Sequence, residues 1–193
     1  MDERRLIGRL RAGDEQACAQ LVRIHHAPIY RMLAALVRDV HLAEDLCQET
    51  FTAAWKSLKH FDERSSLKTW LHAIAYRKFL DARRRGRGRS EGTLVDLPQR
   101  QDPLVHLVMD EQQRALYEAI DQLKDRDREV IVLRYLQQMS YAEICAVLGE
   151  PGGTVRWRVK EALTKLKQLL TPYANEETQP DSRSARAACR SDP

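Results

Sequence analysis

Ser140-Tyr141-Ala142-Glu143-Ile144-Cys145-Ala146-Val147-Leu148-Gly149-Glu150-Pro151-Gly152-Gly153-Thr154-Val155-Arg156-Trp157-Arg158-Val159-Lys160 is the stretch whose reading decides the fold. Ser140 followed by Glu143 has the spacing of a capping box, in which hydroxyl and carboxylate each satisfy a free backbone N–H at a helix start. Ile144, Val147 and Leu148 give that helix an apolar side. The run from Gly149 to Gly153 then breaks it, because glycine tolerates positive φ and proline cannot continue a helix. Thr154 caps a second helix. On it Val155, Val159, Ala162, Leu163, Leu166 and Leu170 share one face, and Arg156, Lys160, Thr164 and Lys167 the opposite one. Two short helices joined by a glycine-containing turn, the second of them basic, have the shape that enters a DNA major groove. An ordinary helical hairpin with a solvated lysine face has the same local pattern, so the rest of the chain must decide between them.

The chain has 193 residues, room for one or two domains, with a formal charge of +4 and 43% hydrophobic residues. The charge is mild, but the basic residues are clustered, and clustering matters more for partners than the total. No run of about eighteen apolar residues marks a membrane span, and Met1-Asp2-Glu3-Arg4-Arg5 lacks the apolar stretch of a signal peptide. Cys18, Cys47, Cys145 and Cys189 are widely spaced, with no Cys-x-x-Cys pair, which argues against zinc and against a disulfide framework and fits a cytoplasmic address.

Helical period recurs almost everywhere, and no strand pattern is sustained. A short helix is expected over Glu3–Arg11. A second, capped by Asp14, carries Ala17, Leu21, Ile24, Leu33 and Val37, with Pro28 expected to kink or interrupt it. A third opens at Asp39 and a fourth covers about Ser66 to Arg84. Arg85-Gly86-Arg87-Gly88-Arg89-Ser90-Glu91-Gly92, then Pro98 and Pro103, cannot build a core, so residues 86–103 read as a linker. Period resumes at Leu104, Leu107 and Val108, continues through Leu116, Ala119, Ile120 and Leu123, and passes by Val130, Ile131, Leu133 and Leu136 into the helix-turn-helix. The expectation is an all-α chain of two small helical domains, 1–85 and 104–171, joined by a flexible linker, with a disordered tail over 172–193.

Two helices carry more than core positions. On the third, Cys47, Phe51, Ala54, Trp55 and Leu58 form an apolar face, while Asp45, Gln48, Glu49 and Thr52 form a polar, acidic one suited to a basic partner helix. On the fourth, Leu67, Trp70, Leu71 and Ile74 face a core, while Lys68, His72, Tyr76, Phe79 and Arg83 share another face. Basic and aromatic side chains interleaved in this way suit single-stranded nucleic acid, the cations neutralising phosphates and the rings stacking on bases. Arg84, Arg85, Arg87 and Arg89 extend the charge. A slightly rotated helix would instead bury Tyr76 and Phe79 in the core, and spacing alone leaves both readings open.

The segments Ala43-Glu44-Asp45-Leu46-Cys47-Gln48-Glu49-Thr50-Phe51, Trp55, Phe61, Thr69-Trp70-Leu71-His72-Ala73-Ile74-Ala75, Asp81 and Arg84 resemble domain two of bacterial RNA polymerase sigma factors of the extracytoplasmic-function (ECF) type. Leu133-Arg134-Tyr135, Ser140-Tyr141-Ala142-Glu143-Ile144, Leu148-Gly149 and Gly153-Thr154-Val155-Arg156 resemble domain four of the same family. The resemblance implies a sigma factor that binds core polymerase and directs promoter-specific initiation, for a stress or envelope regulon. Asp45, Gln48, Glu49 and Thr52 would dock on the β′ coiled coil. Lys68, His72, Tyr76, Phe79, Arg83 and Arg84 would hold the melted minus-ten element. Thr154, Arg156, Trp157, Arg158 and Lys160 would read the minus-thirty-five element, while domain four also contacts the β flap. An anti-sigma factor, which could hold the chain at the inner membrane, is a further implied partner. The chain departs from the family pattern at Arg77, Lys124, Trp157 and Glu161; the last two bear on base preference.

A helix-turn-helix regulator that acts without being a polymerase subunit is the rival reading, allowed by the C-terminal motif taken alone. Enzyme readings find no support. The Gly149–Thr154 turn lacks the Gly-Lys-Ser/Thr ending of a phosphate loop, no Gly-x-Ser-x-Gly elbow occurs, and no histidine pair has metal-ligand spacing. No catalytic residue, metal, cofactor or small-molecule substrate is expected.

Overall fold

The computed structural model describes residues 3–88 and 111–176. Among them every regular element is helical. An N-terminal unit consists of α1 (Glu3–Arg11), α2 (Glu15–Val37), α3 (Val40–Ser57), a 3-10 turn (Leu58–His60) and α4 (Leu67–Gly88). A C-terminal unit consists of α5 (Glu111–Gln122), α6 (Asp125–Ile131), a π turn (Val132–Leu136), α7 (Tyr141–Leu148) and α8 (Gly152–Glu176).

The starts and stops follow from local chemistry. Asp14 caps α2 by accepting from the N–H groups of Gln16 and Ala17, and Asp39 caps α3 by accepting from that of Leu42. Both halves of the Ser140/Glu143 capping box form at α7. Gly149 ends α7 in the left-handed region at φ 69, where a side chain would be strained, and its N–H reaches the Cys145 carbonyl at 2.8 Å. That turn sets the angle at which α8 leaves.

Several expectations are corrected. α2 runs through Pro28 as one helix, so the proline does not interrupt it. The carbonyl that the missing N–H would have satisfied belongs to Ile24, a residue on the solvent side of the helix, where an unpaired carbonyl costs least. α4 continues through residues 86–88, so the linker expected over 86–103 begins later; the remainder of that segment and Leu104, Leu107 and Val108 lie outside the described residues. α8 passes Thr171 to Glu176, and the rest of the expected tail, with Cys189, is outside the described residues too. Leu116 and Leu163, assigned to apolar faces by period, are exposed.

Each unit has an apolar centre, formed by residues such as Ile29, Leu33, Leu46 and Leu71 in the first and Val130, Leu133, Ile144 and Val159 in the second. The two centres join into a continuous core. Polar contacts line the join. Arg38, in the left-handed region at φ 59 where it closes α2, donates to the Asp121 carbonyl and lies 3.5 Å from the Asp121 carboxylate. The π turn is the second device at the join. Its i→i+5 bond from the Gln137 N–H to the Val132 carbonyl (3.0 Å) ends the helix one residue wide of α register and turns Gln137 toward α4. No helix among the described residues is long and apolar enough to cross a membrane.

Candidate nucleic-acid interface

Three surfaces carry the residues singled out from sequence. The first is the outer face of α8. Thr154, Arg156, Trp157 and Lys160 are exposed side by side, Trp157 with 61% of its surface open. An indole that large, left largely in water on a helix flanked by cations, is an apolar surface that the described residues leave open. Arg156 is steadied from behind: its guanidinium lies 5.8 Å from the centre of the Tyr141 ring, on which Arg134 also rests at 5.0 Å.

Arg158 does not belong with them, contrary to the sequence reading. It is 3% exposed and points inward. It donates to the Glu150 carboxylate at 2.5 Å, to that of Glu129 at 3.2 Å and to the Arg126 carbonyl. Arg156 and Arg158 are two positions apart and so lie on different sides of the helix, which is why neighbouring arginines have opposite fates.

The second surface is the polar stripe of α3. Asp45, Gln48 and Thr52 are exposed, and Glu49 is half-exposed, tied to Lys78 of α4 at 3.1 Å. The Thr52 hydroxyl donates to the Gln48 carbonyl at 3.0 Å, holding the stripe in order. Trp55 was placed in the core by period, but it is 47% exposed. The core side is formed by Ala43, Leu46, Cys47, Thr50, Ala54 and Leu58. Trp55 lies one turn beyond Thr52, so the stripe ends in an open indole. Spacing three residues from Thr52 was the available signal, but it competes with the equally good spacing from Phe51.

The third surface is the α4 face, and it is covered. Lys68 donates to the Gln137 carbonyl at 2.7 Å, and the Thr69 hydroxyl donates to the Glu143 carboxylate at 3.0 Å. Tyr76 donates its phenol to the Glu129 carboxylate at 2.9 Å, and Arg83 pairs with the same carboxylate at 3.0 Å. Phe79 is buried beside Tyr76, with ring centres 5.9 Å apart and the Arg83 guanidinium 5.2 Å from the Phe79 ring centre. Arg84 stays exposed and pairs with Asp81. Four of the six residues assigned here, Lys68, His72, Tyr76 and Arg83, therefore meet the C-terminal unit, and Phe79 is buried beside them. Glu129 and Gln137, which sequence reasoning did not single out, organise the contact. Glu129 is 2% exposed and meets two guanidiniums and a phenol, so its buried carboxylate is ion-paired and hydrogen-bonded. Burial and the neighbouring Glu129 charge push the Tyr76 phenol well above its usual range.

His72 is fully buried at the same join. Its Nδ1–H donates to the Lys68 carbonyl at 2.8 Å, and the Gln137 side-chain amide lies 3.2 Å from Nε2. A neutral ring with Nδ1–H so committed needs a donor at Nε2. The Gln137 amide nitrogen, otherwise without a hydrogen-bond partner, supplies it once the amide is turned. Burial lowers the His72 pKa below 6.5, outweighing both hydrogen bonds; Lys68 lowers it further and Glu143 of α7 opposes. His25 of α2 is lowered in the same way, by burial first and then by the His72 charge. A base with a depressed pKa binds its proton better once released, so stability falls as pH drops through and below 6.5. The melting temperature is expected to fall between about pH 7.5 and about pH 5.5, and to fall less in His72→Gln. Equal pH slopes for the two proteins would contradict this.

The N-terminal unit matches the family model described as Sigma-70 region 2 over residues 21–89, and the C-terminal unit matches Sigma-70, region 4 over residues 119–168. The chain is similar to the ECF RNA polymerase sigma factor SigE of Mycolicibacterium smegmatis, 34% identical over 86% of this chain and 68% of that protein. It is 31% identical to the ECF RNA polymerase sigma factor SigW of Bacillus subtilis, over 85% of this chain and 94% of the relative. Among solved structures it is similar to CnrH in complex with the cytosolic domain of CnrY, with a TM-score of 0.68 and 28% identity, over 87% of this chain and 96% of that one. It is also similar to the sigma factor RpoE in complex with the anti-sigma factor NepR from Bartonella quintana, with a TM-score of 0.64 and 26% identity, over 79% of this chain and 95% of that one.

Proposed function

Because the chain belongs to the sigma-70 family as an ECF-type RNA polymerase sigma factor, we propose that its three surfaces divide the work of promoter-specific initiation. The α3 stripe of Asp45, Gln48, Glu49 and Thr52, closed by Trp55, docks on the polymerase β′ coiled coil. The α4 face of Lys68, His72, Tyr76, Phe79, Arg83 and Arg84 holds the melted minus-ten strand. The α8 face of Thr154, Arg156, Trp157 and Lys160 reads the minus-thirty-five element, and the C-terminal unit also meets the β flap. The observation that carries this division is the open acidic and aromatic stripe on α3. A self-sufficient DNA-binding regulator has no use for it, whereas a polymerase subunit must dock.

Magnitudes support a subunit rather than a lone DNA opener. Melting costs about 1.4 kcal/mol per base-pair step, so a six-pair opening costs on the order of 8 kcal/mol. Stacking returns about 1–3 kcal/mol per captured base. Tyr76 and Phe79 together fall short, and the rest must come from the polymerase. The chemistry of RNA synthesis is the polymerase's too; this chain contributes binding. It acts in the cytoplasm on a stress or envelope regulon. An anti-sigma factor is its expected restraint, by analogy with the complex of RpoE with NepR. Co-purification with core polymerase tests the docking reading: retention supports it, and a chain that binds promoter DNA but never core polymerase is the free regulator instead.

Within the α8 face the roles differ. A well-placed arginine discriminates a guanine edge by about 1–3 kcal/mol, whereas a phosphate contact mainly sets salt dependence. Arg156→Ala is expected to lower preference for the promoter over random DNA more than Lys167→Ala does. Lys167→Ala should weaken both alike and reduce the salt slope by about one. Competition binding at several salt concentrations checks this; equal losses on both DNAs for both variants would refute it.

A further inference from the structure

We propose that Trp157 is the thymine-selecting residue of α8, its indole packing on the 5-methyl group of one thymine in the major groove of the upstream promoter element. The proposal rests on the minus-thirty-five role given to α8 above. It adds the base, and the chemical group on that base, that this side chain recognises.

Among the described residues Trp157 is the most exposed large apolar side chain, with 61% of its surface open. It is the sixth residue of α8, in the half of the helix whose side chains meet base edges when a helix-turn-helix docks. Its direction follows from helical period. Val155, Val159, Ala162 and Leu166 form the buried line, and Trp157 projects about half a turn away from it, straight out of the unit. Thr164, two turns on, shares that direction, but its hydroxyl is turned back to the Lys160 carbonyl at 3.0 Å. Trp157 is therefore the large side chain at the crest of the face.

The two flanks of that crest differ in charge. Lys167, given a phosphate contact above, lies to one side of Trp157 with Lys160, and both are exposed. On the other side lie Glu161, half-buried, and Lys165, whose ammonium is spent on the Asp127 carboxylate at 2.6 Å. With the DNA backbone drawn to the Lys167 side, the crest stands over the groove floor rather than over phosphate.

What the floor offers decides the partner. Base edges there present hydrogen-bond donors and acceptors, and the one apolar group among them is the thymine 5-methyl. An indole has a single N–H to donate and no acceptor, so most of its area is satisfied by apolar contact alone. A base carbonyl or amine set against the ring would lose its water without gaining a partner. A methyl group loses nothing there, and both apolar surfaces leave water together.

The test uses holoenzyme assembled from core polymerase and the full chain, on a promoter whose start site it has mapped. Each thymine of the upstream element, on either strand, is replaced singly by deoxyuridine, which keeps every hydrogen-bonding group and removes only the methyl. Competition against the unmodified duplex is the readout. The expected result is one position at which uracil weakens binding by the parent about fourfold, the factor carried by burying one methyl-sized group. Trp157→Ala should bind that duplex and the unmodified one alike. The parent's scan needs no variant, and the variant's melting curve checks its fold. The absence of any uracil position that weakens the parent overturns the proposal, as does an upstream element without an A·T pair. An equal weakening in Trp157→Ala also overturns it, and a loss of core-polymerase affinity in that variant would then place the indole on a protein partner. A scrambled upstream element separates the two claims. If the parent binds it as well as the natural one, the minus-thirty-five reading of α8 has failed. If the parent discriminates while no uracil matters, only the thymine assignment is wrong.

Discussion

Replacing Arg158 with alanine is expected to cost the C-terminal unit about 3–5 kcal/mol, the scale for removing one partner of a buried ion pair. The side chain is nine-tenths or more buried, and three acceptors depend on it: the carboxylates of Glu129 and Glu150 and the Arg126 carbonyl. Its loss leaves Glu129 inside with only the contacts it makes across the join, and leaves Glu150 without its cation. The melting temperature should drop by more than about 10 °C, given roughly 4–8 °C per kcal/mol for a unit of this size. Arg156→Ala, two residues away and exposed, should leave melting almost unchanged while weakening promoter recognition. The pair therefore separates a fold effect from a recognition effect on a single helix. Equal melting temperatures for Arg158→Ala and the parent would mean that the buried network contributes nothing.

Trp55→Ala is the second large effect, and it concerns docking rather than folding. A half-open indole at the end of an acidic stripe is the type of residue that anchors an interface, where truncation costs about 2 kcal/mol or more, roughly thirtyfold in affinity. With about half of its surface already open, its truncation should cost well under the about 3–5 kcal/mol of a fully buried Trp→Ala change. Binding of the purified variant to core polymerase, measured by fluorescence anisotropy beside its melting curve, checks both. Unchanged core affinity would remove Trp55 from the docking surface. The substitution is also informative beside Glu49, whose charge is already shared with Lys78 at 3.1 Å.

Helix positions were legible in the sequence because caps are local. Asp14, Asp39, Ser140 with Glu143, and Gly149 act on backbone groups within a turn of themselves, and all behave as their residue types dictate. The recognition face of α8 was legible for the same reason, except for Arg158. A periodic pattern shows which residues share a side, but it does not show that a charged side chain will be drawn inward by a carboxylate 29 positions away. Glu129 sits in the run Arg128-Glu129-Val130-Ile131-Val132-Leu133, where the charges look like the edge of an apolar helix face. Their burial depends on α4 and α8, which approach only in the folded chain. Tyr76 and Phe79 show the limit most directly. The sequence left them between a nucleic-acid face and a core, and in the structure the core they join is partly that of the other unit. Trp55 was misplaced because two stripes on α3 overlap at its position.

Multi-round transcription by core polymerase on a library of bacterial upstream fragments, with 5′ ends of the RNA mapped in the presence and absence of this chain, tests the central claim most directly. The account predicts that the chain binds core polymerase and creates a defined set of starts, preceded by a shared pair of elements at the spacing its α4 and α8 surfaces can span. A map of start sites that is the same with and without the chain would contradict it.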